Sequence, residues 1–334
     1  MNEIKNRYEL VFWVEARNCN YNGDPDFDNA PRVDAESGLG YMTDVSIKRK
    51  VRDYVGTAFS GITGYEIHVS NGKNLNRDIA ECVIEASGDD KPAKGKKTNE
   101  ASAIARKRFY DVRTFGGVMS TGLNAGQIQG PVQFSMPLSY DEVQTCSASI
   151  TRLAYVEKDS TDLSVYDAYD ETLDSSKKRT MGRKTFCPYA LFECHAFVSA
   201  NLARKSGFSE DDLNVLLEAI LNMYNFQTSA SKAGMQVVGP VVIFKHVGTA
   251  DAESNPTMKE REALLGCTSA QKLFNLINVS KKDEVNFPRA YTDYNASIAI
   301  SKLPAGVEIG FKYEPFGSIT WGHIAENDEW LTES

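Results

Sequence analysis

Polar and apolar positions alternate sharply at the start of the chain. From Tyr8 to Arg17, Tyr8, Leu10, Phe12, Val14 and Ala16 fall on one face, with Glu9, Glu15 and Arg17 among the residues opposite, which predicts a half-buried strand. After a Gly/Asp/Asn/Pro-rich loop, Thr43 is placed to cap a helix whose stripe is Ile47, Val51, Tyr54 and Val55. Lys48 and Arg52 then sit at i, i+4 beside the stripe, and Arg49 is spaced to pair with Asp53 on the far side. Residues 63–69 and 127–139 read as strands, with a long polar insert between them. In that insert 87–97 reads as a mobile loop and 99–119 as helix. A strand is predicted at 150–156, and 157–184 shows no apolar period, which marks a functional or disordered insert. Regularity returns at Ala190, Phe192, Cys194, Ala196, Val198 and Ala200, every second residue being apolar. Ser209 caps a further helix, with Asp212 at N3 and Leu213, Leu216, Leu217, Ile220 and Tyr224 as its stripe. A strand over 236–246, a helix over 269–279 and strands over 296–302 and 306–313 complete the pattern. This order suggests an α+β, ferredoxin-like or RRM-like core with large insertions.

Composition adds bounds to this outline. The 334 residues, 42% hydrophobic and 25% charged, can bury a real core as one large domain with insertions or as two domains. The longest apolar run near the start, Leu10 to Val14, is too short for a signal or a membrane span, so a cytoplasmic protein is expected. Six scattered cysteines without a Cys-x-x-Cys pair read as reduced thiols. The balance of 37 basic against 45 acidic residues gives a net charge of −8, which by itself argues against a nucleic-acid partner. Distribution reverses that inference. Lys177, Lys178, Arg179, Arg183 and Lys184 form an acid-free cluster, hidden in the total by Asp159, Asp162, Asp167, Asp170, Glu171 and Asp174 just before it.

Candidate chemistry is sparse. Asp24, Asp26 and Asp28 alternate as metal ligands could, but an EF-hand loop from Asp24 would need Gly at Asn29 and Glu at Ala35. Turn chemistry accounts for the same residues. Cys187 and His195 have no third group to orient the imidazole, and no Walker, Rossmann or metalloprotease signature occurs. The basic features carry more. A loop opening into a helix with Lys48 and Arg52 could hold successive phosphates, the competing reading being a solvated helix face. Met181, Gly182 and Phe186 among the cations of the second cluster suit single-stranded nucleic acid, where charge is neutralised and a base is displaced or stacked. A basic loop without a partner is the alternative there.

Taken in order, several of these pieces closely resemble one family. They are Asn22-Gly23-Asp24-Pro25 with Pro31-Arg32 and Asp34, Thr43-Asp44-Val45 with Lys48-Arg49-Lys50 and Arg52, and Asp111-Val112-Arg113-Thr114-Phe115-Gly116. Gly130-Pro131-Val132-Gln133, Gly182-Arg183-Lys184, Pro188-Tyr189 and His195 continue the series. Together they resemble the backbone subunit of CRISPR Cascade complexes, the Cas seven family of the RAMP superfamily, and most closely its type I-C branch. The type I-B branch shares the first loop and helix, so the subtype rests on the later motifs. Tyr21 stands where the family's loop usually has Pro, and Gly117 where it often has Ala.

The resemblance implies one RRM-like palm over 1–334, a helical fingers insertion at 70–125 and a protruding thumb hairpin at 157–185. Copies would stack head to tail along a guide crRNA, each thumb displacing a base and leaving the intervening segments to pair with a target DNA strand. The implied RNA-binding residues are Asn20, Asn22, Arg32, Lys48, Arg49, Arg52, Arg113, Met181, Arg183, Lys184 and Phe186. Further implied partners are the Cascade large subunit, small subunit and crRNA-processing RAMP subunit, and a recruited helicase-nuclease. No cofactor and no catalysis are implied. The alternative is a metal-dependent endoribonuclease using Asp24, Asp26 and Asp28, because related type III subunits cut RNA with an acidic loop residue.

Overall fold

The computed structural model describes residues 2–156, 159–174, 178–251 and 253–334. Lys177 of the basic cluster and parts of the expected thumb lie outside the described residues. The chain opens with β1 (Tyr8–Cys19), β2 (Gly23–Asp24), β3 (Ala30–Pro31), β4 (Leu39–Tyr41) and α1 (Asp44–Ala58). An excursion follows through α2 (Leu75–Ser87), α3 (Thr98–Arg108), α4 (Tyr110–Phe115), β5 (Gly116–Val118) and β6 (Gln127–Gln129). Then come β7 (Val132–Phe134), β8 (Leu138–Glu142), β9 (Cys146–Arg152), α5 (Leu163–Thr172) and the long β10 (Thr180–Val198). The second half holds α6 (Ala200–Ser206), α7 (Glu210–Asn222), β11 (Met235–His246), α8 (Pro256–Leu265) and α9 (Ala270–Phe274). It ends with β12 (Ile277–Lys281), β13 (Tyr294–Ile298), β14 (Val307–Lys312), β15 (Thr320–Trp321) and β16 (Leu331–Glu333).

The main sheet runs β15-β14-β11-β1-β10-β8-β4, with β7 and β9 also paired to β10. Its centre is β1, antiparallel to β10 from Tyr8↔Val198 to Cys19↔Cys187 and to β11 on the other side. Leu10, Phe12 and Val14 join Phe192, Cys194 and Ala196 on one face, in the same apolar cluster as Ile47, Val51 and Val55 of α1 and Leu213, Leu216 and Ile220 of α7. Both helices start where the side chains dictate. Thr43 accepts from Ser46 N, and Ser209 with Asp212 forms a capping box.

The expectation of a half-buried β1 is corrected: both faces are covered. Val11, Trp13, Leu191, Val242 and Phe244 pack beneath a C-terminal layer that includes the three-stranded sheet β12-β13-β16. Trp13 meets Trp330 edge to face, with centroids 5.0 Å apart. Glu9 and Glu15 are therefore wholly buried, and each is fully engaged. Glu9 meets His246 Nε2 at 2.7 Å and Arg7 Nε at 2.6 Å. Because His246 Nδ1 accepts from Cys267 N, its proton lies on Nε2 and points at Glu9. Glu15 accepts from Arg17, Gln236, Tyr189 Oη and the Tyr291 amide.

Other expectations shift. Residues 63–69 form no strand, only a bridge between Glu66 and Phe109. The predicted helix over 99–119 breaks at Phe109, whose backbone is extended, and stops at Phe115. Gly116 has φ +81°, and a Cβ on Gly130 would lie 2.2 Å from the Gly116 nitrogen, so the two backbones meet where no side chain fits. The strand expected over 127–139 is three short pieces, and the helix expected over 269–279 is α9 alone, giving way to β12. The sequence pattern missed α2 altogether. It packs with α3 around a separate cluster of Ile79, Cys82, Val83, Ala101, Ala105 and Phe109.

The patternless 157–184 contains α5 and the start of β10, and the excursion begins earlier than 157. Cys146–Arg152 pairs with Thr180–Phe186 as a two-stranded ribbon, from Phe186↔Cys146 to Thr180↔Arg152. No helix among the described residues is long and apolar enough to cross a membrane.

Candidate nucleic-acid interface

Three cations of α1, Lys48, Arg49 and Arg52, each face a carboxylate. Lys48 Nζ lies 2.9 Å from both Asp44 and Gln133 Oε1. Arg49 pairs with Asp53 at 2.8 Å, as its spacing implied. Arg52 Nε donates at 2.8 Å to Asp111, whose buried carboxylate also accepts from the His68 and Val69 amides. The Phe115 ring lies 5.9 Å from the Lys48 ammonium and 5.2 Å from the Arg52 guanidinium. Only Nε of Arg52 is engaged in a hydrogen bond among the described residues, which leaves the fork of Nη groups available to an oxyanion.

Side chains of the preceding loop lock it to the helix. Asn22 Oδ1 accepts from Thr43 N at 2.8 Å, Asn20 Nδ2 donates to Asn29 O at 2.6 Å, and Arg32 pairs with Asp24 at 3.1 Å. Asp24 also accepts from Asp26 N, capping a short turn that ends with Asp28 and Asn29 in the left-handed region. Asp26 and Asp28 are exposed. No group of three or more His, Cys, Asp or Glu among the described residues is placed to hold a metal ion. Two buried polar atoms at the loop, Asn20 Oδ1 and Arg32 Nε, have no hydrogen-bond partner among the described residues.

Arg113, which the resemblance implies as an RNA ligand, lies in the interior as a brace. Its guanidinium bonds Asp212 twice, at 3.0 and 2.8 Å, and lies over the rings of Tyr65 and Tyr110. Only 7% of the side chain is exposed. The ribbon residues divide between two faces, because strand side chains alternate. Met181, 75% exposed, shares one face with Arg183, and Lys184 and half-buried Phe186 take the other. Lys184 Nζ donates to Ala230 O at 3.0 Å.

The family model for CRISPR-associated protein Cas7 matches residues 6–299. The chain belongs to the Cas7 family. A curated relative from Haloferax volcanii, described as CRISPR-associated protein Cas7, is 32% identical over 157 residues. That match covers 42% of this chain and 44% of the relative, so it spans less than half of the relative's length. Two similar solved chains come from structures described as a CRISPR RNA-guided surveillance complex. The pre-nicking form is 13% identical with a TM-score of 0.46, covering 80% of this chain and 84% of that one. The other is 14% identical with a TM-score of 0.42, covering 80% of this chain and 78% of that one.

Within this Cas7-family chain, the structure adds cations that sequence reasoning passed over. Lys232, isolated in the loop between α7 and β11, donates its ammonium to Tyr21 O. Burial, with the charge of Lys50, holds that ammonium down to about 8. Cys19, on the neighbouring strand, has its thiol pushed up to about 11 by burial, opposed by the charges of Lys232 and Lys184. No periodicity or cluster marks Lys232 in the sequence; only the packing of its loop against Asn20 and Tyr21 brings it to the ribbon. His195 is satisfied, bonded to Glu193 at 2.7 Å and stacked on Phe274. Cys187 lies buried opposite Cys19, its thiol pushed up to about 12 by burial.

Proposed function

We propose that this chain is the non-catalytic backbone subunit of a type I-C Cascade surveillance complex. Copies stack head to tail along a guide crRNA and present it, in a pre-ordered path, for pairing with a target DNA strand. Base pairing then reads the target, and the protein grips the guide spacer independently of its sequence. The large, small and crRNA-processing subunits and a helicase-nuclease are the partners this role requires.

The observation that carries the reading is the ribbon of β9 and β10, which extends from the sheet and presents exposed Met181 beside Arg183. An apolar tip flanked by cations is suited to part a single strand while neutralising its backbone. Connectivity supports the palm: β1, α1, β8, β10, α7 and β11 follow a βαββαβ order with antiparallel neighbours β11-β1-β10-β8. The cluster around α2 and α3 supports the fingers. Asp24, engaged by Arg32 and by its own turn, weighs against the nuclease alternative.

The test is to purify the chain with its neighbouring subunits and sequence any RNA that accompanies it. Repeat-derived RNA with varied spacers is expected, and it should stay intact with added magnesium or manganese. Protein free of RNA, or metal-dependent cuts at regular intervals that Asp24→Ala abolishes, would overturn the proposal.

A further inference from the structure

We infer that the cavity lined by Tyr291, Tyr313 and Trp330 receives the guanidinium group of an arginine side chain presented by another protein chain. Trp330 packs with Trp13 on the face of β1 opposite the one that α1 covers, so this site stands apart from the RNA-binding role proposed above.

The cavity has a volume of about 370 Å³, the size of a site that encloses a small group. Its walls come mainly from the turn at Tyr291, the segment that follows β14 and the segment that leads into β16. Each ring is held in place. Tyr313 Oη accepts from Ala325 N at 3.0 Å, and Trp330 Nε1 donates to Tyr294 O at 3.2 Å. Tyr291 stands edge to face against Trp330, with centroids 5.5 Å apart. Asp328 Oδ1 accepts from the Trp330 and Leu331 amides, both at 2.9 Å, which fixes the turn that carries Trp330. Walls that are already ordered bind a guest at a low entropic cost.

Two independent features of the lining favour a cation. Aromatic faces are the negative side of the ring quadrupole, and they attract a cation laid over them. Glu314, Asp328 and Glu329 add carboxylates, Glu314 and Glu329 being exposed, and no Lys, Arg or His lines the cavity among the described residues. Elsewhere carboxylates find cations within the chain, as in Lys245–Glu308 at 3.4 Å and Lys281–Asp141 at 3.2 Å. Among the described residues none of the three at the cavity has such a partner. A phosphate would meet only like charge here, which separates this site from any nucleic-acid path. A neutral guest would leave the carboxylates without a counter-charge.

Among cations the lining selects guanidinium. That group is planar, stacks on aromatic faces, is more weakly hydrated than an ammonium, and directs its donors in plane toward carboxylates. A side chain within a peptide suits the field better than free arginine, whose own α-carboxylate the glutamates repel.

The experiment titrates the full chain, labelled with fluorotryptophan, with a capped Gly-Arg-Gly peptide and follows the fluorine NMR signals of its three tryptophans, assigned by Trp→Phe variants. The Trp330 signal should shift and saturate while the Trp321 signal stays in place. Glu314→Gln and Glu329→Gln, both at exposed positions, should each weaken binding about threefold and together about tenfold. The same peptide with citrulline in place of arginine, of like shape but uncharged, should not saturate. The inference falls if the citrulline peptide binds as tightly, if the double Gln variant binds as the wild type does, or if all three signals drift together without saturating. Equal affinity for a Gly-Lys-Gly peptide would overturn the choice of guanidinium, and tighter binding of free arginine would overturn a protein chain as its source.

Discussion

Replacing Arg113 by Met should unfold this protein more readily without touching the RNA surface. The side chain is buried, and its two bonds to Asp212 tie α4 to the first turn of α7. Asp212 Oδ2 would keep two capping bonds, from the Ser209 amide and hydroxyl, but among the described residues Oδ1 accepts from Arg113 alone. The variant therefore strands a charged oxygen in the interior, a change that costs about 4 kcal/mol when one partner of a buried pair is removed. Losing the guanidinium from the Tyr65 and Tyr110 rings adds about 0.5 kcal/mol. Urea unfolding followed by circular dichroism measures the sum, and adding Asp212→Asn to the Met variant should recover part of it by removing the stranded charge. RNA affinity measured well below the unfolding midpoint should stay within about twofold of wild type, the scatter expected for a residue that touches no phosphate. If Arg113→Met is instead as stable as wild type to within about 1 kcal/mol and loses RNA, the assignment of Arg113 as an interior brace is refuted.

Two further outcomes follow from the same geometry. Arg52→Gln with Lys48→Gln should reduce RNA retained on purification and flatten its salt dependence, whereas Arg49→Gln should change little; unchanged RNA in the first variant would mark the flank as a solvated face. Charge reversal at Arg52 is the poorer probe, because a Glu there would meet the buried Asp111 carboxylate. Replacing 147–185 by a short Gly/Ser turn should leave cooperative unfolding intact, since Phe186 lies opposite Cys146 and the β10 segment beyond it pairs within the body. Electron microscopy of that variant on long RNA should then show no regular arrays, and regular arrays would remove the ribbon from assembly.

Elements whose apolar residues repeat at a regular spacing were legible in the sequence. The stripe of α1, its Thr43 cap, the capping box at Ser209 and the alternating residues of β10 all lie where periodicity put them. Periodicity failed on the second face of β1 and where a segment is too short to repeat. In β1, Glu9 and Glu15 looked like solvent positions, and nothing local announces that residues such as Trp330 and Tyr291, more than 270 positions away, will cover that face. Breaks at Phe109 and Gly116 depend on backbone contacts across the fold, which composition does not record. At the candidate site the types of residue were legible but their commitments were not. Arg113 reads as a surface cation until Asp212 is brought beside it, and Lys232 reads as filler until its loop meets Tyr21.

β10 is one uninterrupted strand of 19 residues, and its two ends do different work. Its far half lies at the centre of the core beside β1, and its near half is an edge of the ribbon. At about 3.3 Å per residue it spans roughly 60 Å, a lever anchored along much of its length. Pro188, where it leaves the body, fixes its own φ and stiffens the junction instead of loosening it. A sideways load on Met181 is thus delivered as torque to the middle of the sheet, and the ribbon's aim is set by the twist of the core.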